Sequence, residues 1–199
     1  MQILPAGDRA LLVELDGLDE VLGYYTALLA DPAPHAVDVV PAARTVLVTT
    51  AGSLDELRRH LMSVQPLTTA QSAGDLLEVP VIYDGADLAD VASLLGCSPA
   101  DVVERHTSEQ WTVAFCGFAP GFGYLTGTAD WNIPRRSSPR TKVPVGAVGL
   151  AGEFSGVYPR ESPGGWQLIG RTDLQIFDQQ RDPAALFHPG RRVRFIEAS

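Results

Sequence analysis

The sequence predicts an α+β protein of two domains, a βαββαβ unit followed by a compact β-barrel or sandwich. Three observations lead there. Strand and helix signals alternate over the first 80 residues, and near residue 110 the periodicity changes to short strands parted by loops. Residues 116–172 hold 11 of the 19 glycines and 6 of the 15 prolines, a turn density that suits many short strands rather than long elements. The 199 residues, 45% hydrophobic and 20% charged, fit one domain or two small ones, each able to close a modest core.

The elements follow in order. ALLVEL (10–15) reads as a strand. GLDEVLGYYTALLA (17–30) places Leu18, Val21, Leu22, Tyr25, Leu28 and Leu29 at helical spacing. HAVDVV and RTVLVTT flank Pro41-Ala42-Ala43 as a hairpin. SLDELRRHLMSV opens on Ser53 with Glu56 three residues on, the pattern of a capping box. LLEVPVIY (76–83) reads as the last strand, which completes a ferredoxin-like order over residues 1–83. Two short helices form a connector over 84–109. Asp87 is placed to cap the first, which stops at Gly96. Ser98 caps the second, with Pro99 at its first position and Asp101 at its third. The strands of the second domain (110–199) are QWTVAFCGF, AVGLAG, WQLIG, LQIF and RRVRFIE.

Charge narrows the function. The net charge of −9 is divided as −7 over residues 1–80, −5 over 81–110 and +3 over 111–199. An acidic front speaks against general nucleic-acid binding, whose affinity comes from Lys and Arg on phosphates, and against reading the 87–108 helices as a DNA-binding pair. The basic back third suits a small anion. Cys97 and Cys116 are too few for a disulfide framework, so a cytoplasmic setting is expected. The opening MQILPAGDRALLVEL lacks the charge and apolar pattern of a signal peptide, and no apolar run nears the ~20 residues that span a bilayer.

Three loops carry the candidate chemistry. In GFAPGFGYL (117–125), Gly117, Gly121 and Gly123 permit positive φ and close approach, while Phe118, Phe122 and Tyr124 can wall a pocket. The alternative is a tight loop whose rings plug the barrel end. PRRSSPRTKVPVGAVGLAG (134–152) contains Arg135, Arg136, Arg140 and Lys142, and 131–152 contains no acid. Lys142 is the only lysine beside 14 arginines. An ammonium is a compact charge with a tunable pKa, unlike a guanidinium, which makes Lys142 a candidate for gripping an anion or moving a proton. The third loop, YPRESPGGWQLIGRT (158–172), brings Trp166 as a wall and Arg171 for carboxylate recognition. His106, near the end of the second connector helix, is a candidate acid or base, with packing as its alternative role.

Other chemistries lack their residues. The lone lysine sits between Thr141 and Val143, so no phosphate-binding P-loop exists. The four histidines are scattered without zinc-ligand spacing, so no metal site is expected, and no G-x-S-x-G elbow occurs.

The motifs GFAPGFGYL, PRTKVPVGAVGLAG and SPGGWQLIGRT, followed by FDQQRDPAALFHPGRRVRF, resemble the 5-oxoprolinase B-subunit family (PxpB), also known as KipI or allophanate hydrolase subunit 1. GDRALLVEL and EVPVIYDGADLADVA extend the resemblance over almost the whole chain. It implies a ferredoxin-like N-terminal domain and a cyclophilin-like β-barrel. It implies a non-autonomous part of an ATP-dependent hydrolase that opens 5-oxoproline to L-glutamate, acting in a heteromeric complex with a KipA-type partner (the C subunit) and an A subunit. ATP would be shared with those partners, with Mg2+ as its accompanying ion. Inhibition of a sensor histidine kinase, or an allophanate- or urea-related hydrolysis or carboxyl transfer, are the alternative activities. On this reading Lys142 and His106 are the catalytic candidates, and Arg140, Arg171, Gly117, Phe118, Gly121, Tyr124 and Trp166 bind substrate or nucleotide. The chain departs from the family's Gly-Gly-Gln-Thr-Gly run, having Gly152-Glu153-Phe154-Ser155-Gly156.

Overall fold

The computed structural model describes residues 1–67 and 76–198, which fall into two compact units, Met1–Ser72 and Ala73–Ser199. The first contains β1 (Gln2–Pro5), β2 (Ala10–Glu14), α1 (Leu18–Ala30), β3 (Ala36–Pro41), β4 (Thr45–Thr50) and α2 (Leu54–Ser63). Its sheet is antiparallel in the order β1-β2-β4-β3. Alternation along β2 and β4 buries Leu11, Val13, Val46 and Val48 against Val21, Tyr24 and Leu28 of α1 and Leu57 and Leu61 of α2. The Tyr24 hydroxyl donates to the Leu61 carbonyl at 2.6 Å and ties the two helices together.

Three expectations change here. The core face of α1 is Val21-Tyr24-Leu28 rather than the stripe that includes Leu29, which is 57% exposed. Ser53 caps α2 by accepting from the Asp55 amide, and Glu56 closes no capping box. The edge beside β2, expected for residues 76–83, is held by β1, a four-residue strand too short to develop a sequence period.

Residues Leu76–Val81 do form a strand, β5, but in the second unit, where it pairs parallel with β13 (Arg192–Glu197). Val79 and Val81 are fully buried in that unit's core, which is what draws the segment there. The helices α3 (Leu88–Leu95) and α4 (Pro99–Ser108) belong to the same unit. Their Val91, Ala92 and Val102 are part of its core, so 84–109 is integral to the barrel unit and not a connector. Ser98 and Asp101 form the reciprocal capping box of α4, and Gly96 ends α3 at φ 68°. Asp87 stands at the start of α3 but makes no side-chain cap.

The remaining strands are β6 (Trp111–Cys116), β7 (Gly123–Thr126), β8 (Arg140–Val143), β9 (Ala147–Ala151), β10 (Phe154–Val157), β11 (Ser162–Gly164) and β12 (Gln167–Arg171). Seven strands form one sheet, β12-β9-β10-β7-β6-β13-β5. Its two edges meet beyond β5. The Ile82 amide donates to the Arg171 carbonyl at 2.8 Å and the Arg171 amide returns to the Ile82 carbonyl at 2.9 Å, so the sheet nearly closes on itself. That favours the barrel over the sandwich. β8 and β11 stand apart as a two-stranded ribbon. LQIF (174–177) is not a strand and contributes one isolated bridge, Phe177 to Ala185. No helix among the described residues is long and apolar enough to cross a membrane.

Candidate functional site

The β6–β7 turn sets the first wall of the site. The Gly117 amide donates to the Phe122 carbonyl at 3.2 Å and the Phe122 amide to the Ala119 carbonyl at 2.9 Å, which folds 117–122 back on itself. Phe118 lies at φ 67°, a left-handed conformation that costs a non-glycine residue, and it is 58% exposed. Gly121 is also left-handed, at φ 82°, and a Cβ there would lie 2.5 Å from Phe177 Cβ. Its glycine provides clearance for Phe177, not for a ligand. Gly121→Ala is expected to lower stability by roughly 1–3 kcal/mol through strain plus overlap, read as a lower urea midpoint with an unchanged m-value.

Around this turn the rings form one cluster. Phe122 meets Tyr158 and Trp166 edge-on at 5.3 Å, and Tyr124 stacks on Phe115 at 4.4 Å. Phe154, at the departure from the family run, packs edge-on against Phe115 and Tyr124 at 5.6 and 5.7 Å, so it extends the wall rather than filling the pocket. Glu153 is exposed. The rings of Phe118, Phe122, Tyr124, Tyr158 and Trp166 line an open cavity of about 80 Å³ together with Gly164, Gly165 and Arg135. Burial raises the pKa of both phenols, and the nearby Arg135 charge opposes it at each.

The expected anion grip does not assemble. Arg140 Nη2 and Arg136 Nη1 both donate to Asp87 Oδ1 at 2.7 Å, and the Leu168 amide donates to Asp87 Oδ2 at 2.7 Å. Burial works against the Asp87 carboxylate, yet these donors and charges hold its pKa below the usual range. Lys142 pairs with Glu161 at 2.9 Å on the exposed face of the β8–β11 ribbon, and Arg171 pairs with Asp84 at 3.0 Å. All three cations thus have a carboxylate partner, and none lines the cavity. Gly117 also lies off the cavity, while Phe118, Tyr124 and Trp166 line it.

His106 is likewise separate from the cavity. It is fully buried among Tyr83, Trp111, Trp131 and Phe195, with Nδ1 2.7 Å from the Tyr83 hydroxyl and Nε2 2.9 Å from Ser155 Oγ. Burial drives its pKa down to about 3. A neutral imidazole with both nitrogens engaged inside the barrel core has no access to substrate, and the packing role stands in place of the catalytic one.

Sequence reasoning placed Arg135 among the loop's cations without singling it out, and it missed Tyr158, Gly164 and Gly165. Tyr158 and the glycine pair occur in the third loop beside Trp166, and that adjacency was the available signal. Among the described residues no group of three or more His, Cys, Asp or Glu side chains is placed to hold a metal ion.

Residues 1–187 match the family model "Carboxyltransferase domain, subdomain C and D". The chain is 44% identical over 225 aligned positions to the 5-oxoprolinase B subunit of Bacillus subtilis (strain 168), covering 100% of this chain and 93% of that one. It is 40% identical over 171 positions to the 5-oxoprolinase B subunit of Escherichia coli O157:H7, covering 82% and 78%. Among solved structures it superposes on TTHA0988 with a TM-score of 0.80 at 35% identity, covering 96% of this chain and 40% of that one, so it spans only about two-fifths of that protein. The urea amidolyase of Kluyveromyces lactis, 21% identical with a TM-score of 0.76, shares the fold.

Proposed function

The chain belongs to the carboxyltransferase family, subdomains C and D, and from that premise we propose that it is the B subunit of an ATP-dependent 5-oxoprolinase. With a KipA-type C subunit and an A subunit, it opens the lactam of 5-oxoproline to L-glutamate in the cytoplasm. The observation that carries this reading is the kinship with two 5-oxoprolinase B subunits over most of both lengths. The barrel unit is assigned to the cyclophilin-like class. The first unit is assigned to a ferredoxin-like arrangement in which Gln2–Pro5 takes the fourth strand position.

The residues present do not fit a nucleotide. The aromatic cavity, at about 80 Å³, is well below the roughly 300 Å³ of the smallest pockets that bury a drug-sized ligand, and the chain has no P-loop. ATP and any Mg2+ are therefore assigned to the assembled complex. A pocket this small, open at the rim, needs a partner surface to become a closed active site, which agrees with a non-autonomous role.

The test is ATP-dependent glutamate release by the chain reconstituted with its partners. A complex that assembles but whose ATP hydrolysis 5-oxoproline does not stimulate overturns the reading. Lys142, on the ribbon that also carries Gly164, is assigned to the completed site. Lys142→Ala is expected to cut turnover by roughly tenfold or more, the scale of a lost acid–base or charge contact. Its unfolding midpoint should hardly move, because an exposed ion pair contributes about 0–1 kcal/mol. A large drop in stability with normal turnover would make Lys142 structural.

A further inference from the structure

We propose that Arg135, with the hydroxyls of Tyr124 and Tyr158, is the carboxylate-binding end of the aromatic pocket, so that the pocket selects a small carboxylic acid held against its rings. The proposal rests on the 5-oxoprolinase reading and assigns this chain the substrate's carboxylate.

The balance of charges points to Arg135 first. Its neighbours in the basic loop have carboxylate partners, Arg136 and Arg140 sharing Asp87 and Lys142 pairing with Glu161. Arg135 makes no hydrogen bond or ion pair with any described residue. It lines a cavity that has no acid among its lining residues. Arg135 is exposed, so only solvent answers its charge beside the aromatic rings, and a carboxylate is the group its planar fork pairs with in two parallel bonds.

The backbone is built to present it. On one side the Pro134 carbonyl accepts from Gln167 Nε2 at 3.2 Å, and on the other the Arg136 amide donates to the Gly165 carbonyl at 2.8 Å. Arg135 is thereby fixed between two anchors, one on the strand that follows Trp166 and one on the glycine turn before it. Tyr124 and Tyr158 line the same cavity as Arg135, which brings two phenol hydroxyls to the site, that of Tyr158 already meeting the Trp166 backbone. Gly164 is required for this, because a Cβ there would collide with the Tyr158 hydroxyl. Phe118, at 58% exposure the most open of the lining rings, is the one placed to cover the apolar body of the acid. At about 80 Å³ the cavity is far below the size of pockets that take drug-sized ligands, which restricts any occupant to a small acid.

Two readouts test the proposal in the full chain. In the reconstituted complex, Arg135→Gln is expected to raise KM for 5-oxoproline at least tenfold with kcat within about threefold, and Arg135→Lys to recover part of the loss. In the chain alone, 5-oxoproline should shift the Trp166 indole and Gly165 amide resonances. Its carboxamide analogue should not, and neither ligand should shift them in Arg135→Gln.

An active complex whose KM is unchanged by Arg135→Gln overturns the inference and leaves the enzyme assignment intact. A substitution that weakens assembly without changing KM also overturns it, since the guanidinium would then be meeting a partner's carboxylate. If the wild-type complex does not act on 5-oxoproline, the enzyme reading fails. The inference is then decided by titrating the chain with acetate and 5-oxoproline against the carboxamide, and equal shifts from acid and amide, or none from any of them, sink it.

Discussion

Asp87→Ala is expected to destabilise the barrel unit by about 3–5 kcal/mol, the range for removing one partner of a buried ion pair. Asp87 is 1% exposed, and both carboxylate oxygens are engaged, Oδ1 by two guanidinium groups and Oδ2 by the Leu168 amide. The alanine leaves that amide without its acceptor and two partly buried cations facing each other. Arg136 Nε and Arg140 Nη1 are already buried without a partner, so neither guanidinium has a spare contact to fall back on. Asp87→Asn keeps an acceptor but loses the charge, and should fall between the alanine and the wild type. Because the folded carboxyl titrates below its ordinary value, its contribution is present above the unfolded pKa near 3.9 and is lost as pH falls through the folded pKa. Urea unfolding at pH 7 is the measurement. A loss under about 1 kcal/mol for the alanine would mean that the triad does not bear on stability. A second effect follows from position, since Arg136 directly follows Arg135 and its amide anchors Gly165. Asp87→Ala should therefore also loosen the rim of the pocket.

The same aspartate shows where sequence reading succeeds and where it stops. An acid before the LADVASLL run, with a glycine stop just beyond it, identifies a helix start, and α3 begins there. The carboxylate's true partners are out of view because they lie 49, 53 and 81 positions away. Strand β5 follows the same logic. Its alternating valines identify a strand, but nothing local distinguishes a partner in the first sheet from Arg192–Glu197, far along the chain. The short strands β7, β8, β10 and β11 have three or four residues each with glycine or little alternation, so no period develops. The aromatic wall of the site was legible in GFAPGFGYL, because so many rings beside so many glycines suit neither core nor linker. Which cation serves the pocket was not. Arg135 and Arg136 are neighbours of identical chemistry, and only the placement of Asp87 gives one a carboxylate partner and leaves the other without one.

Stability is expected to fall as the solution is acidified from about pH 6.5 to about 4.5, by about 1.4 kcal/mol per pH unit from His106 alone. The sign follows from which state holds the proton. In the unfolded chain the imidazole titrates near 6.5, whereas in the barrel core its pKa is depressed to about 3. Between those values the unfolded chain binds a proton that the folded chain refuses. The folded state is thus fully favoured above pH 6.5 and loses ground as pH drops toward 3, on the order of 5 kcal/mol in all. The refusal has a visible cause. Phe195 lies 4.3 Å from the ring and Trp111 5.1 Å, and both ring nitrogens meet hydroxyls rather than a carboxylate that could compensate an imidazolium. The two hydroxyl partners are served by one donor and one acceptor nitrogen, which the neutral ring supplies. Urea midpoints measured at about pH 7, 5.5 and 4.5 should decline accordingly. In His106→Gln the slope should flatten by about one proton while stability at pH 7 falls through lost packing. Asp87 and Glu109, both held below the usual carboxylate pKa, add a loss of the same sign near the acid end of the window, where the unfolded chain's carboxylates begin to bind protons, and the His106→Gln comparison subtracts it. A wild-type slope no steeper than that of His106→Gln would show that the histidine carries its proton in the folded chain, and would reopen the acid–base role that its burial now argues against.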